Sequence, residues 1–144
     1  MRFMILLKAD QDTEAGKMPS EQLLRDMGNF NQQLVDAGIM LAGEGLHPTA
    51  KGARVHFDHG KVDVSDGPFP LADNPLAGFW IWRCDSRQQA IDWVKKVPMP
   101  MESGKATIEI RQIFEAEDFG AEFTPELREQ EERMRAELEK KAGA

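Results

Sequence analysis

The order in which strand-like and helix-like apolar patterns alternate is the strongest constraint on what this chain can fold into. Arg2 to Lys8 reads as a buried strand of large apolar residues. After a loop from Asp10 to Met18, Pro19-Ser20-Glu21 opens a helix, with Ser20 as N-cap and Glu21 at its positive end. Leu23, Met27, Phe30 and Leu34 form its apolar stripe, flanked by Leu24, Asn31 and Val35, and Gly38 is the expected C′ residue. Ile39 to Leu46 is a second strand. Ala53 to Ser65 reads as a hairpin turning at His59-Gly60, which sets Phe57 against Val62, Val55 against Val64 and His56 against Asp63. Gly78 to Cys84 is an aromatic strand. Ser86-Arg87-Gln88-Gln89 matches a capping box that starts a short helix, and Pro98 stops it. Lys105 to Phe114 is the last strand.

The order is therefore β-α-β, hairpin, β-α-β. It predicts the α+β class, as a ferredoxin-like βαββαβ domain with an inserted hairpin over residues 1–114. Two helices cover only one face of such a sheet, and the other face still carries large apolar side chains. A homodimer with the sheets packed face to face is the simplest way to bury it. Residues 115–144 form a C-terminal extension with ten acids and five bases, against a net −2 for the rest of the chain. Within it, Thr124-Pro125-Glu126 starts a helix, and Leu127, Met134 and Leu138 mark a thin apolar seam.

Charge and composition exclude several classes of function. A net charge of −7 and a pI near 5.0 argue against direct binding to nucleic acid. No apolar run approaches the ~18 residues of a membrane span, and the opening Met1–Lys8 is too short for a secretory leader. One cysteine, Cys84, forms no internal disulfide and suits a reducing cytoplasm, where the chain is expected to reside.

Glu44-Gly45-Leu46-His47-Pro48 carries the most chemistry. An acid and a histidine lie three apart at a strand end, where glycines let a ligand approach, and this is the arrangement proton transfer needs. The alternative is that Gly43 and Gly45 mark a bulge. Asp66-Gly67-Pro68-Phe69 is a stiff turn able to position a carboxylate or merely to cap nearby N–H groups. Arg111, alternating with isoleucines beside Glu109, either anchors an acidic substrate or forms a salt bridge. Trp80 and Trp82 share a strand face, lining an aromatic pocket or packing in the core or a dimer seam. His56-x-x-His59 has half the spacing of a zinc site, but its rings diverge and no second cysteine completes a set. The His56–Asp63 pair reads as a cross-strand contact. Cys84 has no neighbouring base and reads as a small buried hydrophobe. No phosphate loop is present, and nothing in the sequence requires a metal or a cofactor.

The turn Asp66-Gly67-Pro68-Phe69 also carries a family resemblance, together with Met1-Arg2-Phe3-Met4, Lys8-Ala9-Asp10, Phe30-Asn31, residues 43–48, Lys51–Val55, Ala77–Trp80 and the stretch from Glu109 to Gly120 running into Thr124–Leu127. The chain resembles the YCII-related proteins, specifically their DGPF-domain branch. That resemblance implies ferredoxin-like domains paired as a dimeric α+β barrel. It also implies kinship in fold with muconolactone isomerases, and relatives that handle lactones or remove halide with a His–Asp pair. Some DGPF proteins are encoded beside, or fused to, sigma factors of the extracytoplasmic type, which implies a regulatory alternative. After Asp-Gly-Pro-Phe the branch usually continues Ala-Glu-Thr-Lys-Glu. Here Pro70-Leu71-Ala72-Asp73-Asn74 follows, and Asp73 is the candidate replacement for the missing acid.

Two functional expectations follow. The first is a small-molecule enzyme or binder for a lactone- or carbonyl-type substrate. His47 would shuttle the proton, Asp66 and Glu44 would be the carboxylates, and Arg111, Trp80 and Trp82 would hold the ligand. The second is a non-catalytic dimeric module, for example one associated with transcription, that meets a protein partner through the acidic helix.

Overall fold

A computed structural model describes residues 1–143. Strand β1 (Arg2–Lys8) pairs on one side with β5 (Leu76–Arg83) and on the other with β6 (Ile108–Gln112). Strand β2 (Met40–Gly45) adds to the far edge of β5, and every ladder is antiparallel. The resulting order, β2-β5-β1-β6, places the first and third strands of the body at the centre and the second and fourth at the edges. This is the ferredoxin-like α+β arrangement.

Pleat alternation divides the sheet into two faces. Phe3 and Ile5 stand opposite Trp82 and Trp80, and all four are buried. They meet α2 (Glu21–Asp36) and α3 (Arg87–Val94), whose Phe30, Leu34 and Ala90 complete the core. The Phe30 ring lies 6.3 Å from Trp80, 6.4 Å from Trp82 and 6.3 Å from Trp93, centroid to centroid. Full burial of side chains this large contributes about 1.5–3 kcal/mol each. The other face carries Met4, Leu6, Phe79 and Ile81, which neither α2 nor α3 covers.

Helix α2 begins where the sequence predicts. The Ser20 hydroxyl accepts from the Leu23 N–H at 3.1 Å. It ends in a Schellman motif around Gly38 (φ 71°), where Ile39 N–H reaches the Leu34 carbonyl and Gly38 N–H the Val35 carbonyl. Helix α3 keeps its Ser86 cap, but the returning Gln89 side chain takes the Asp85 N–H at 2.6 Å instead of the cap's own N–H. The loop expected over residues 10–18 contains a short helix, α1 (Gln11–Glu14). Asp10 and Thr13 form a reciprocal capping box there, a pattern too short to show as periodicity.

Strands β3 (Ala53–Asp58) and β4 (Lys61–Asp66) form a separate two-stranded sheet in the predicted register, with His56 opposite Asp63 and Phe57 opposite Val62. At its turn His59 as well as Gly60 adopts a positive φ, 47° and 85°. Val55, Phe57, Val62 and Val64 are all exposed, Phe57 to 79%.

The chain divides into two compact units, Met1–Ile113 and the segment from Phe114 onward. In the second, Phe119 stacks between Phe114 and Phe123 at 5.1 Å from each. Helix α4 (Pro125–Ala142) follows, capped by Thr124. Among the described residues no helix is long and apolar enough to cross a membrane.

Candidate functional site

The ends of three strands meet the start of a helix around one opening. The C-terminal ends of β1 and β2, the N-terminal end of β5, the start of α2 and the loop at Pro100–Glu102 enclose a cleft of about 670 Å³. A volume of this size accommodates a small organic ligand. Most of its lining is apolar, with Leu7, Leu23, Ala77 and Met101 prominent. Met101 is only 4% exposed, so it anchors its loop as well as walling the cleft.

The charged groups around the cleft are arranged by local chemistry. Asp10 caps α1, accepting from Thr13 N–H at 2.9 Å, and also accepts from the Ser103 hydroxyl at 3.1 Å. The bond from the Thr13 N–H holds its carboxyl below the ordinary aspartate value, against the opposing effect of burial. Glu102 accepts the Ser20 N–H at 3.1 Å, and this bond lowers its pKa. The two bonds tie the 100–104 loop to the α1 and α2 side of the opening. Asp12 faces Lys17 at 3.8 Å. His47 and Lys51 also line the cleft. Among the described residues neither side chain has a hydrogen-bond or ionic partner in the chain.

The structure therefore places His47 in a ligand-sized cleft but does not bring the other expected residues to it. Glu44 stands opposite Phe79, on the sheet face away from α2 and α3. The cause is the pleat: Gly43, its neighbour, points at the core, where a Cβ would come within 2.7 Å of the Trp80 ring. Arg111 shares Glu44's face through the register and pairs with Glu109 at 3.3 Å, which is the salt-bridge reading of this residue. Trp80 and Trp82, 7% and 0% exposed, are core and not pocket residues, and the Trp80 indole N–H is held by Asn31 at 2.9 Å. Cys84 is buried, and desolvation, aided by the Asp85 charge, raises its thiol pKa and keeps it inert.

Asp66 ends β4 outside the cleft, and the turn that follows it is an anchor. Gly67 N–H bonds the Gly52 carbonyl at 3.0 Å, and Phe69 N–H bonds the Thr49 hydroxyl at 2.9 Å. The Thr49 hydroxyl in turn donates to Glu14 at 2.5 Å. The Arg54 guanidinium lies 3.9 Å over the Phe69 ring and bonds Asp73 at 2.8 Å. Asp73, in the loop after the turn, is thus engaged by Arg54. Asp12, Lys17, Lys51, Met101 and Glu102 are the cleft residues that sequence patterns did not single out. The one available signal was Pro98-Met99-Pro100-Met101, a loop with large apolar residues between prolines.

Fold and cleft together define a small ferredoxin-like α+β domain with a ligand-sized opening at one end of its sheet. The chain belongs to the YCII-related family, whose domain model matches residues 1–117. It is similar to an uncharacterized protein of Rhizobium meliloti (strain 1021), with 28% identity over 97 residues that cover 66% of this chain and 78% of the relative. Among solved structures it is similar to the 5-chloro-2-hydroxyhydroquinone dehydrochlorinase TftG from Burkholderia phenoliruptrix AC1100, in complex with 2,5-dihydroxybenzoquinone. The identity there is 13% and the TM-score 0.42, with 81% of this chain and 98% of that one covered.

Proposed function

We propose that the cleft binds a small molecule and that His47 transfers a proton to or from it. The observation that carries this reading is the placement of His47 on the wall of a ligand-sized, largely apolar opening, with no partner for its ring among the described residues. Asp12, which also lines the cleft and pairs with Lys17 at 3.8 Å, takes the carboxylate role first expected of Asp66 and Glu44. A histidine and a carboxylate sharing a cleft support proton transfer, which on a carbonyl- or lactone-type substrate means isomerisation or elimination. The domain-resident DGPF turn serves as structure in this reading. A fragment screen read by amide chemical shifts tests it. Ligands should shift residues around His47, and His47→Ala should weaken them about tenfold or more while Asp66→Ala leaves them unchanged. Hits that map elsewhere, or that ignore His47→Ala, would overturn it.

The assembly that fits this fold is a homodimer closed over the Met4, Leu6, Phe79 and Ile81 face, because a sheet face this apolar is normally buried. The non-catalytic alternative, a regulatory or protein-interaction module, draws on α4. Its Leu127, Met134 and Leu138 are 44%, 50% and 66% exposed and would form the contact.

A further inference from the structure

The charges around the cleft are not equally free to meet a ligand. Asp10 is committed to Thr13 and Ser103, Glu102 to Ser20, and Asp12 to Lys17. His47 and Lys51 are on the same short segment, on either side of Pro48, and neither is committed among the described residues. The cleft lining thus includes two side chains, His47 and Lys51, that no protein group engages, beside acids that each already have a protein partner. Its apolar part includes Leu7, Leu23, Ala77 and Met101.

Resting on the cleft reading above, we infer that the ligand is an apolar acid, whose carboxylate meets Lys51 and His47 and whose hydrocarbon body lies along the Leu7 and Met101 walls. An anionic head gains a charge-assisted hydrogen bond from the Lys51 ammonium and a further donor from the His47 ring. A cationic head would share the Asp10 and Glu102 carboxylates with the protein donors they already accept, whereas His47 and Lys51 have no such competitor. The segment that presents these donors is held from behind, because Thr49 is bonded to both Glu14 and Phe69. In the proton-transfer reading, Lys51 is accordingly a binding residue and His47 both binds and reacts.

Three probes with one skeleton separate the possibilities: 3-phenylpropanoate, 3-phenylpropanamide and 3-phenylpropylamine, titrated at neutral pH into the isotopically labelled full chain. The carboxylate is expected to bind at least about tenfold more tightly than the amide, the equivalent of one charge-assisted hydrogen bond. It should shift the backbone amides of Leu7, His47, Lys51 and Ala77. Lys51→Gln should erase the difference between acid and amide, and Lys51→Arg should keep most of it. Lys51 is exposed, so neither variant threatens the fold. If the amide or the amine shifts the same cleft residues with equal or greater affinity, the acid assignment is overturned and the cleft remains a ligand site. If none of the three shifts cleft residues up to millimolar concentration, the cleft reading itself falls, and the inference with it.

Discussion

Replacing Gly67 by alanine tests whether the Asp-Gly-Pro-Phe turn is a clamp. The glycine's φ is one that alanine also adopts, so backbone strain is not the issue. The obstacle is space: an added Cβ would sit 1.7 Å from the Thr49 carbonyl oxygen and 2.6 Å from its carbon. Real Cβ contacts stop near 3.0 Å, so the turn and the Thr49 backbone must part by more than an ångström. That displacement breaks or stretches the Gly67–Gly52 bond of 3.0 Å and the Phe69–Thr49 bond of 2.9 Å. Each is worth about 1 kcal/mol net. Loosening Arg54 from the Phe69 face adds about 0.5–1 kcal/mol. Alanine's smaller unfolded-state entropy returns about 0.4–1 kcal/mol. The net expectation is a loss of about 2 kcal/mol, localised at the base of the hairpin. Native-state hydrogen exchange reads it directly. Protection of the Gly67 and Phe69 amides should fall about thirtyfold, while the β1–β5 ladder keeps its protection. Unchanged protection at both amides would refute the clamp, because the clash is with backbone and no side-chain rotation relieves it.

Three further outcomes follow from the same geometry. Gly43→Ala drives a methyl to within 2.7 Å of the Trp80 ring and should destabilise the domain by about 1–3 kcal/mol in urea, whereas Glu44→Ala, on the opposite face, should change stability by less than about 0.5 kcal/mol; equal effects would contradict the face assignment. Asp10→Asn keeps a cap but loses the charge. Because the Asp10 pKa is lowered below its ordinary value of 3.8, its charge stabilises the fold above that pH, and the contribution fades as pH falls through the depressed value. Urea midpoints of parent and variant should therefore converge only below pH 3.8, and a gap that is constant down to the acid transition would be the wrong result. Ile81→Lys, on the uncovered sheet face, should convert the proposed homodimer to monomer in sedimentation velocity with the fold retained. A parent chain that already sediments as a monomer would remove the dimer from the reading.

What the sequence made legible was whatever periodicity and caps encode. The Leu23–Leu34 stripe, the Ser20 and Ser86 caps, Gly38 and the His59-Gly60 hairpin register all report local geometry, and local geometry fixed the element order. The element order in turn fixed the strand order. The face of Glu44 was legible in principle, since Gly43 beside an aromatic strand marks the inward position and leaves Glu44 the outward one. The cleft was not legible, because it is built where strands and helices stop. Asp12, Lys51 and Met101 lie in a four-residue helix, a tight turn and a proline-flanked loop, and none of these leaves a repeat in the sequence. A histidine three residues from an acid also suggests proximity that strand pleating denies: a strand end sends one side chain across the sheet and the next beyond it.

The motif that carries the family resemblance and the residue proposed to carry the chemistry are therefore different, and Thr49 connects them. Its N–H and hydroxyl go to Glu14, and the same hydroxyl accepts the Phe69 N–H. The segment from His47 to Lys51 is consequently fixed on one side by α1 and on the other by the turn after Asp66. In this arrangement the turn needs a glycine for the close approach to Thr49, and a phenylalanine to present its N–H and receive Arg54. It does not need a particular loop beyond them, only an acid that can reach Arg54, which Asp73 does at 2.8 Å. The loop after the turn, with prolines at 70 and 75, leaves these contacts in place. The turn thereby positions the segment that carries His47 and Lys51.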